Sequence, residues 1–192
     1  MITASEKSKL IKKLEEYEGR YNHMYLDSNG YVTIGVGHLI KNIESAINLN
    51  FKRISNEHAK RDEIKSDFDT LKKQSKGYKA SYYKRFVKLT LSEADIDFLT
   101  NKHIITFEGE LKRLFPEFKI YPTEVRLALF DIIFNVGMTD LNTKWPKFKK
   151  AIKDNDWATA AKESNRKSPI QAERNKYVKD LLNKAESNAN KK

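Results

Sequence analysis

The spacing of hydrophobic positions changes twice along this chain. Leu10, Ile11, Leu14 and Tyr17 recur at helical intervals behind Thr3-Ala4-Ser5-Glu6, which has capping-box spacing, so residues 5 to 18 read as an amphipathic helix. Gly19 is its natural stop. From Tyr21 to Val36 the period drops to two, with aromatic and β-branched residues on either side of Ser28-Asn29-Gly30, which is the pattern of a β-hairpin. From Leu91 the helical period returns. Ser92 caps a run through Ile96, Leu99, His103, Ile104, Phe107, Leu111 and Leu114 that Pro116 closes. Val125 to Phe134 is apolar nearly all round, as expected of a buried central helix, and ends near Gly137. Phe148, Ala151 and Ile152 mark a further helix, and Asp156 caps another at Trp157. Ser168-Pro169-Ile170-Gln171 combines a capping box with proline at the first helical position. A last helix carries Val178, Leu181 and Leu182 before a polar tail.

The middle of the chain is less regular. Asn42 to Phe51 has room for a short helix, and residues 53 to 88 read as partly helical, solvated and basic. Tyr78, Tyr82 and Tyr83 alternate with Lys79, Lys84 and Arg85, which offers ring faces to bases or sugars, although a solvated charged face explains the pattern more simply.

At 192 residues the chain is long enough for one real core. A formal charge of +11 suits nucleic acid, anionic membrane or an anionic wall polymer equally. Without cysteine there is no disulfide framework, thiolate metal site or thiol nucleophile. The first residues contain no apolar run of signal-peptide length and no segment is long enough to span a bilayer, so the chain reads as soluble and needs another route to act outside the cytoplasm.

Candidate chemistry is concentrated in residues 17 to 38. Glu18 lies in the last turn of the first helix, where unpaired carbonyls and the negative end of the helix dipole disfavour a second negative charge. That is the bias a general acid needs. Asp27 opens the turn, an ordinary place for an aspartate that accepts backbone N–H groups. A three-residue loop with Gly30 left-handed sets Asp27 opposite Tyr31 and Tyr25 opposite Thr33, so Asp27 and Thr33 project from one face; a two-residue loop sends them to opposite faces. Two carboxyls in different environments make the acid and base of glycoside hydrolysis, and a hydroxyl adds a means of holding water. Gly35 and Gly37 read as places where the backbone passes closely, and His38 reads as a structural hydrogen-bonding residue.

Glu18-Gly19, Tyr25-x-Asp27 and Gly30-Tyr31-x-Thr33-Ile34-Gly35-x-Gly37-His38 together resemble the signature of the phage-type lysozymes, glycoside hydrolase family 24. Phe134-Asn135-Val136-Gly137 is similar to the end of that family's central helix, and Asn165-Arg166 through Arg174 to its late arginine-bearing segment. The resemblance implies an α+β lysozyme-like fold forming a single domain over 1 to 192. Residues 19 to 90 would form a small lobe with the hairpin and basic insert, 1 to 18 and 91 to 185 a helical lobe, 186 to 192 a polar tail, and the active-site cleft would lie between the lobes. It implies Glu18 as general acid, Asp27 activating or positioning a water, Thr33 holding that water, and His38, Asn135 and Arg174 in supporting or substrate-binding roles, with Arg174 set against the glutamate. The implied enzyme is an inverting muramidase acting on peptidoglycan, a monomer with no metal, cofactor, nucleic-acid partner or membrane insertion. The alternatives are a lytic transglycosylase or a non-catalytic wall-binding module. The implied place of action is the periplasm or cell wall, reached by holin-dependent release or by a secretion system; a bacteriocin or toxin effector would bring a cognate immunity protein.

Overall fold

The capping box at the start of the chain closes as its spacing requires. The Thr3 hydroxyl accepts from the Glu6 amide at 3.2 Å, and the Glu6 carboxylate accepts from the Thr3 amide at 2.8 Å. It opens helix α1, Ala4–Glu18. The computed structural model describes residues 2–191; Met1 and Lys192, the ends of the expected domain and tail, lie outside the described residues. After α1 come β1 (Tyr21–Leu26), β2 (Val32–Gly35), β3 (His38–Leu39), α2 (Ile43–Ile47), α3 (Arg61–Lys72) and α4 (Ala80–Tyr83). They are followed by α5 (Glu93–Leu114), α6 (Thr123–Thr143), α7 (Pro146–Lys153), α8 (Trp157–Glu163) and α9 (Ala172–Ala189), with 3₁₀ turns at Lys84–Phe86 and Pro116–Lys119. The fold is α+β, as its changing periodicity leads one to expect. It has two compact units, Leu14–Lys102 and Met1–Lys13 with His103–Lys192; α1 and α5 contribute residues to both.

The unit Leu14–Lys102 is built on an antiparallel sheet in the order β1-β2-β3. Tyr25 pairs with Thr33 and Leu26 with Val32, while an irregularity in β1 brings Tyr21 opposite Gly35. The hairpin acquires a third strand, in which Ile34 pairs with His38 and Thr33 with Leu39. Gly35 and Gly37 have φ of +64° and +67° and turn the chain between β2 and β3. This corrects the reading of a close backbone passage: a side chain at Gly35 would meet Ile96 at 3.4 Å, an ordinary contact, so the backbone angle is what favours glycine.

The segment from 53 to 88 is basic, partly helical and largely exposed, as expected, and it also carries a buried apolar stripe. Ile64, Phe68 and Leu71 of α3 are buried, as are Phe51, Tyr83 and Leu89 around it. Asp67, 6 % exposed, accepts the amides of Lys88 and Leu89 at 2.7 and 2.8 Å, tying the returning chain to α3. Arg53 forks onto Glu63, whose carboxylate also takes the Lys60 amide at 2.7 Å and caps α3.

In the other unit α6 is the central element, burying Val125 and Leu127 to Ile133. Its helical geometry breaks at Gly137, with φ 72° and ψ 166°, and resumes to Thr143. Asp156 caps α8 by accepting the Thr159 amide at 2.9 Å, as its position implies. The helix expected to start at Pro169 begins instead at Ala172. Asn175 accepts from the Arg166 amide and donates its side-chain N–H to the Arg166 carbonyl at 2.7 Å, holding the chain in a turn in which the Ile170 amide bonds to Lys167. Helix α9 then runs to Ala189 through the start of the expected tail, because Ala185 is buried on its inner face.

Glu6, 3 % exposed, also accepts the Arg126 guanidinium at 3.0 Å. Burial alone would raise its carboxyl pKa; the Thr3 amide, Arg126 and the Thr123 and Thr3 hydroxyls reverse that and bring it from 4.5 to about 2. A depressed carboxyl gives its stability in full above the unfolded value and loses it as pH falls through the folded one, here between about 4.5 and 2. Chemical denaturation across that window is expected to show a loss of about 3 kcal/mol from this group. Glu6→Gln is expected to be less stable at neutral pH and to lack that part of the slope.

Candidate active site

Four of the expected site residues, Glu18, Asp27, Thr33 and His38, belong to the unit Leu14–Lys102. Glu18 is the last residue of α1 and is half-buried. No basic residue stands in that last turn to offset the helix dipole. Gly19 ends the helix at φ +74°, its amide donating to the Glu15 carbonyl at 2.9 Å. A side chain there would be strained by the left-handed backbone, and its Cβ would stand 2.4 Å from the Tyr21 ring, which would have to move. Tyr21 in turn meets Tyr25 edge to face at 5.2 Å. The helix end bearing Glu18 is therefore set against β1 by a glycine and two aromatic rings.

The hairpin turn has three residues, Ser28, Asn29 and Gly30. Asp27 and Tyr31 are bonded across its mouth at 2.9 Å, the Gly30 amide donates to the Asp27 carbonyl, and Gly30 has φ +88°. Asp27 Oδ1 accepts the amides of Asn29 at 2.9 Å and Tyr31 at 2.8 Å. Among the described residues nothing bonds its other oxygen, Oδ2. With Tyr25 opposite Thr33, the pleat directs Tyr25, Asp27, Tyr31 and Thr33 to one face. Thr33 is 4 % exposed and its hydroxyl donates to the Tyr31 carbonyl at 3.2 Å, leaving its oxygen lone pairs for an incoming donor.

The residue that links these groups is Tyr25, 7 % exposed. Its hydroxyl pKa is pushed well above the ordinary value of 10.0, first by burial and then by the charges of Glu18, Tyr21 and Asp27. Both carboxylates thus act on one phenol, which stays neutral at any ordinary pH. His38 lies in β3, half-buried, opposite Ile34.

Asn135 and Arg174 lie in the other unit, in a network centred on Asp131. Asp131, 1 % exposed, bonds Arg166 Nη1 at 2.5 Å and Arg174 Nε at 3.0 Å. Arg166 also donates to the Asn135 side-chain oxygen, to Asn175 Oδ1 at 3.0 Å and to the Arg174 carbonyl at 3.2 Å. Asn135 is thus held by Arg166, and Arg174 by Asp131.

Sequence reasoning missed Tyr25, Asp131 and Arg166 as residues that hold the site. Tyr25 was legible as the inward neighbour two positions before Asp27, and Asp131 as the lone acid in an apolar run. Arg166 carries no such local sign, since its partners lie on two different helices. Among the described residues no group of three or more His, Asp or Glu is gathered as metal ligands.

The chain, with a small sheet presenting an aspartate and a threonine on one face beside a helix that ends in glutamate, is a glycoside hydrolase of the lysozyme class. The phage lysozyme family model matches residues 15–187, and the chain belongs to that family: it is a peptidoglycan-hydrolysing lysozyme. It is similar to the probable T4-type lysozyme 1 of Dictyostelium discoideum, 28 % identical over 154 residues that make up 80 % of this chain and 80 % of that protein.

The contact between Gly19 and Tyr21 gives a direct prediction. Gly19→Ala must move the helix end or the Tyr21 ring, and is expected to cost about 1–2 kcal/mol in thermal or urea unfolding. A shift of about 1 Å at Glu18 is expected to lower lysis by about 10²-fold. Gly109→Ala, in α5 where a Cβ meets nothing within 4 Å, is the control and is expected to keep full lysis with unchanged or slightly higher stability.

Proposed function

We propose that the enzyme is a muramidase that cuts the β-1,4 bond between N-acetylmuramic acid and N-acetylglucosamine with inversion at the anomeric carbon. The observation that carries this reading is the shared face of Asp27 and Thr33, with Asp27 held by one oxygen and the other left for a ligand. In the proposed reaction Glu18 donates its proton to the glycosidic oxygen as the bond to the anomeric carbon breaks. A water held by the Thr33 hydroxyl attacks that carbon from the opposite face and gives its proton to Asp27 Oδ2. The Asp27 charge offsets the positive charge developing on the sugar ring. Asn135 and Arg174 keep the supporting or substrate-binding roles that the resemblance implies, and His38 braces the short strand.

A transglycosylase needs no water-holding pair, since an internal sugar hydroxyl closes the anhydro product; the geometry at Asp27 and Thr33 therefore favours hydrolysis. A non-catalytic wall-binding module has no use for a glutamate at a helix C-terminus. Attraction of the +11 chain to anionic wall polymers fits the same reading and weakens with salt. The protein acts on wall peptidoglycan, reached by holin-dependent release as an endolysin or by a secretion system as an antimicrobial effector. In the second case a cognate immunity protein accompanies it.

Glu18→Gln is expected to abolish lysis of purified sacculi, by at least about 10³-fold, while the circular dichroism melt and wall binding stay unchanged. Mass spectrometry of wild-type digests is expected to give reducing muramic ends. Undiminished lysis by Glu18→Gln, or anhydro-muramic ends from the wild type, would overturn the proposal.

A further inference from the structure

Several lysines along the helices are compensated locally. Lys65 pairs with Asp69, Lys144 with Asp140, Lys150 with Asp154 and Lys176 with Asp180, each four residues apart. Residues 70 to 92 break this habit: seven cations lie between Lys72 and Lys88, with no acid anywhere in the stretch. All seven are exposed, and among the described residues none makes an ion pair.

The same stretch carries an aromatic platform. Tyr78 and Tyr82 stack at 4.2 Å with their planes 17° apart, and the Arg85 guanidinium lies 4.4 Å from the Tyr82 ring centre. Arg85 Nε also donates to the Tyr82 carbonyl at 3.2 Å. Tyr78 is 53 % exposed. Tyr83, edge-on to Tyr82 at 5.4 Å, is fully buried with its hydroxyl donating to the Ser75 carbonyl at 2.8 Å, so the platform stands on a fixed base. The platform is tied to the catalytic hairpin. His23 of β1 bonds the Ala80 carbonyl at 3.1 Å, and the Lys76 side chain is the neighbour that a Cβ on Gly30 would meet, at 3.3 Å.

Seven uncompensated like charges around an exposed ring stack oppose folding and ask for a polyanion. The apolar side chains of the stretch are buried or half-buried apart from Tyr78, so nothing is available to insert into a bilayer. A nucleic-acid strand uses successive open ring faces, one for each base. Here Tyr82 is already covered by Tyr78 and Arg85, which leaves one open face flanked by charge. One carbohydrate or polyol unit fits that face, and phosphates on either side of it fit the lysines.

We propose that Tyr78, Tyr82, Arg85 and the flanking lysines form a second, non-catalytic site for the phosphodiester-linked polyol or sugar chains of bacterial walls. The choice of a wall polymer rests on the lysozyme reading. Such a site holds the enzyme on the wall with the Asp27 hairpin beside the anchoring point.

The test uses the full chain and poly(glycerol phosphate) as probe, with binding measured by calorimetry at two salt concentrations. Lys79→Glu with Arg85→Glu is expected to lower affinity at least tenfold and to flatten its salt dependence, and Tyr78→Ala alone is expected to lower it about tenfold. Both are expected to digest phosphate-stripped peptidoglycan at the wild-type rate. Glu18→Gln is expected to bind the polymer like the wild type without digesting the wall, so failure of the hydrolytic mechanism and failure of this site give different results. Wild-type affinity in both platform variants would overturn the proposal. So would tighter binding, through the same residues, of a single-stranded oligonucleotide of equal charge.

Discussion

Asp27 Oδ1 accepts two amide hydrogens, from Asn29 and Tyr31, and so sets the hairpin loop at three residues with Gly30 left-handed. The rest of the small sheet follows from that length. A loop one residue shorter would turn Thr33 to the opposite face, because side chains alternate along a strand. With the observed length Thr33 stands opposite Tyr25, on the face that Asp27 shares. Oδ1 closes the turn, and in the proposed mechanism Oδ2 is the oxygen that takes the proton of the attacking water.

Glu18 depends on a different kind of constraint. Its position is set by where α1 stops, and Gly19 makes that stop with a left-handed backbone angle that strains any other side chain and with a close approach to the Tyr21 ring. The Tyr21 and Tyr25 rings carry the position on to β1. Tyr25, buried and within the field of both carboxylates, contributes a hydroxyl that stays neutral. In the other unit a different economy operates. Asp131 is almost fully buried, a placement tolerable only because two guanidinium groups satisfy it. That network joins α6, α9 and the turn before α9, and holds Asn135 and Arg174 as by-products of the same packing.

Much of this was legible in the sequence, for identifiable reasons. The capping box of Thr3 and Glu6, the stop at Gly19, the hairpin around Gly30 and the cap at Asp156 are local devices whose partners lie within a few residues. Whether Asp27 and Thr33 share a face depended on turn length, which the sequence left open between two and three residues. Residues 53 to 88 were harder, because Ile64, Phe68 and Leu71 form a narrow apolar stripe among many charges and pack against partners distant in the chain. The Ser168-Pro169 start failed for a related reason. A local capping pattern was overridden by bonds between Arg166 and Asn175 that span the turn. The Asp131 network was illegible because each of its bonds joins residues at least thirty positions apart or lies across that same turn.

The most direct test of the account is the configuration of the sugar released in the first turnovers. If Asp27 activates a water held by Thr33, attack comes from the face opposite the departing chain. Proton NMR of a chitooligosaccharide or muropeptide digest, read before mutarotation, is then expected to show the α-anomer at the new reducing end. Appearance of the β-anomer first would mean that a covalent or substrate-assisted intermediate had formed, and would contradict the assignment of Asp27 and Thr33 as the water-handling pair.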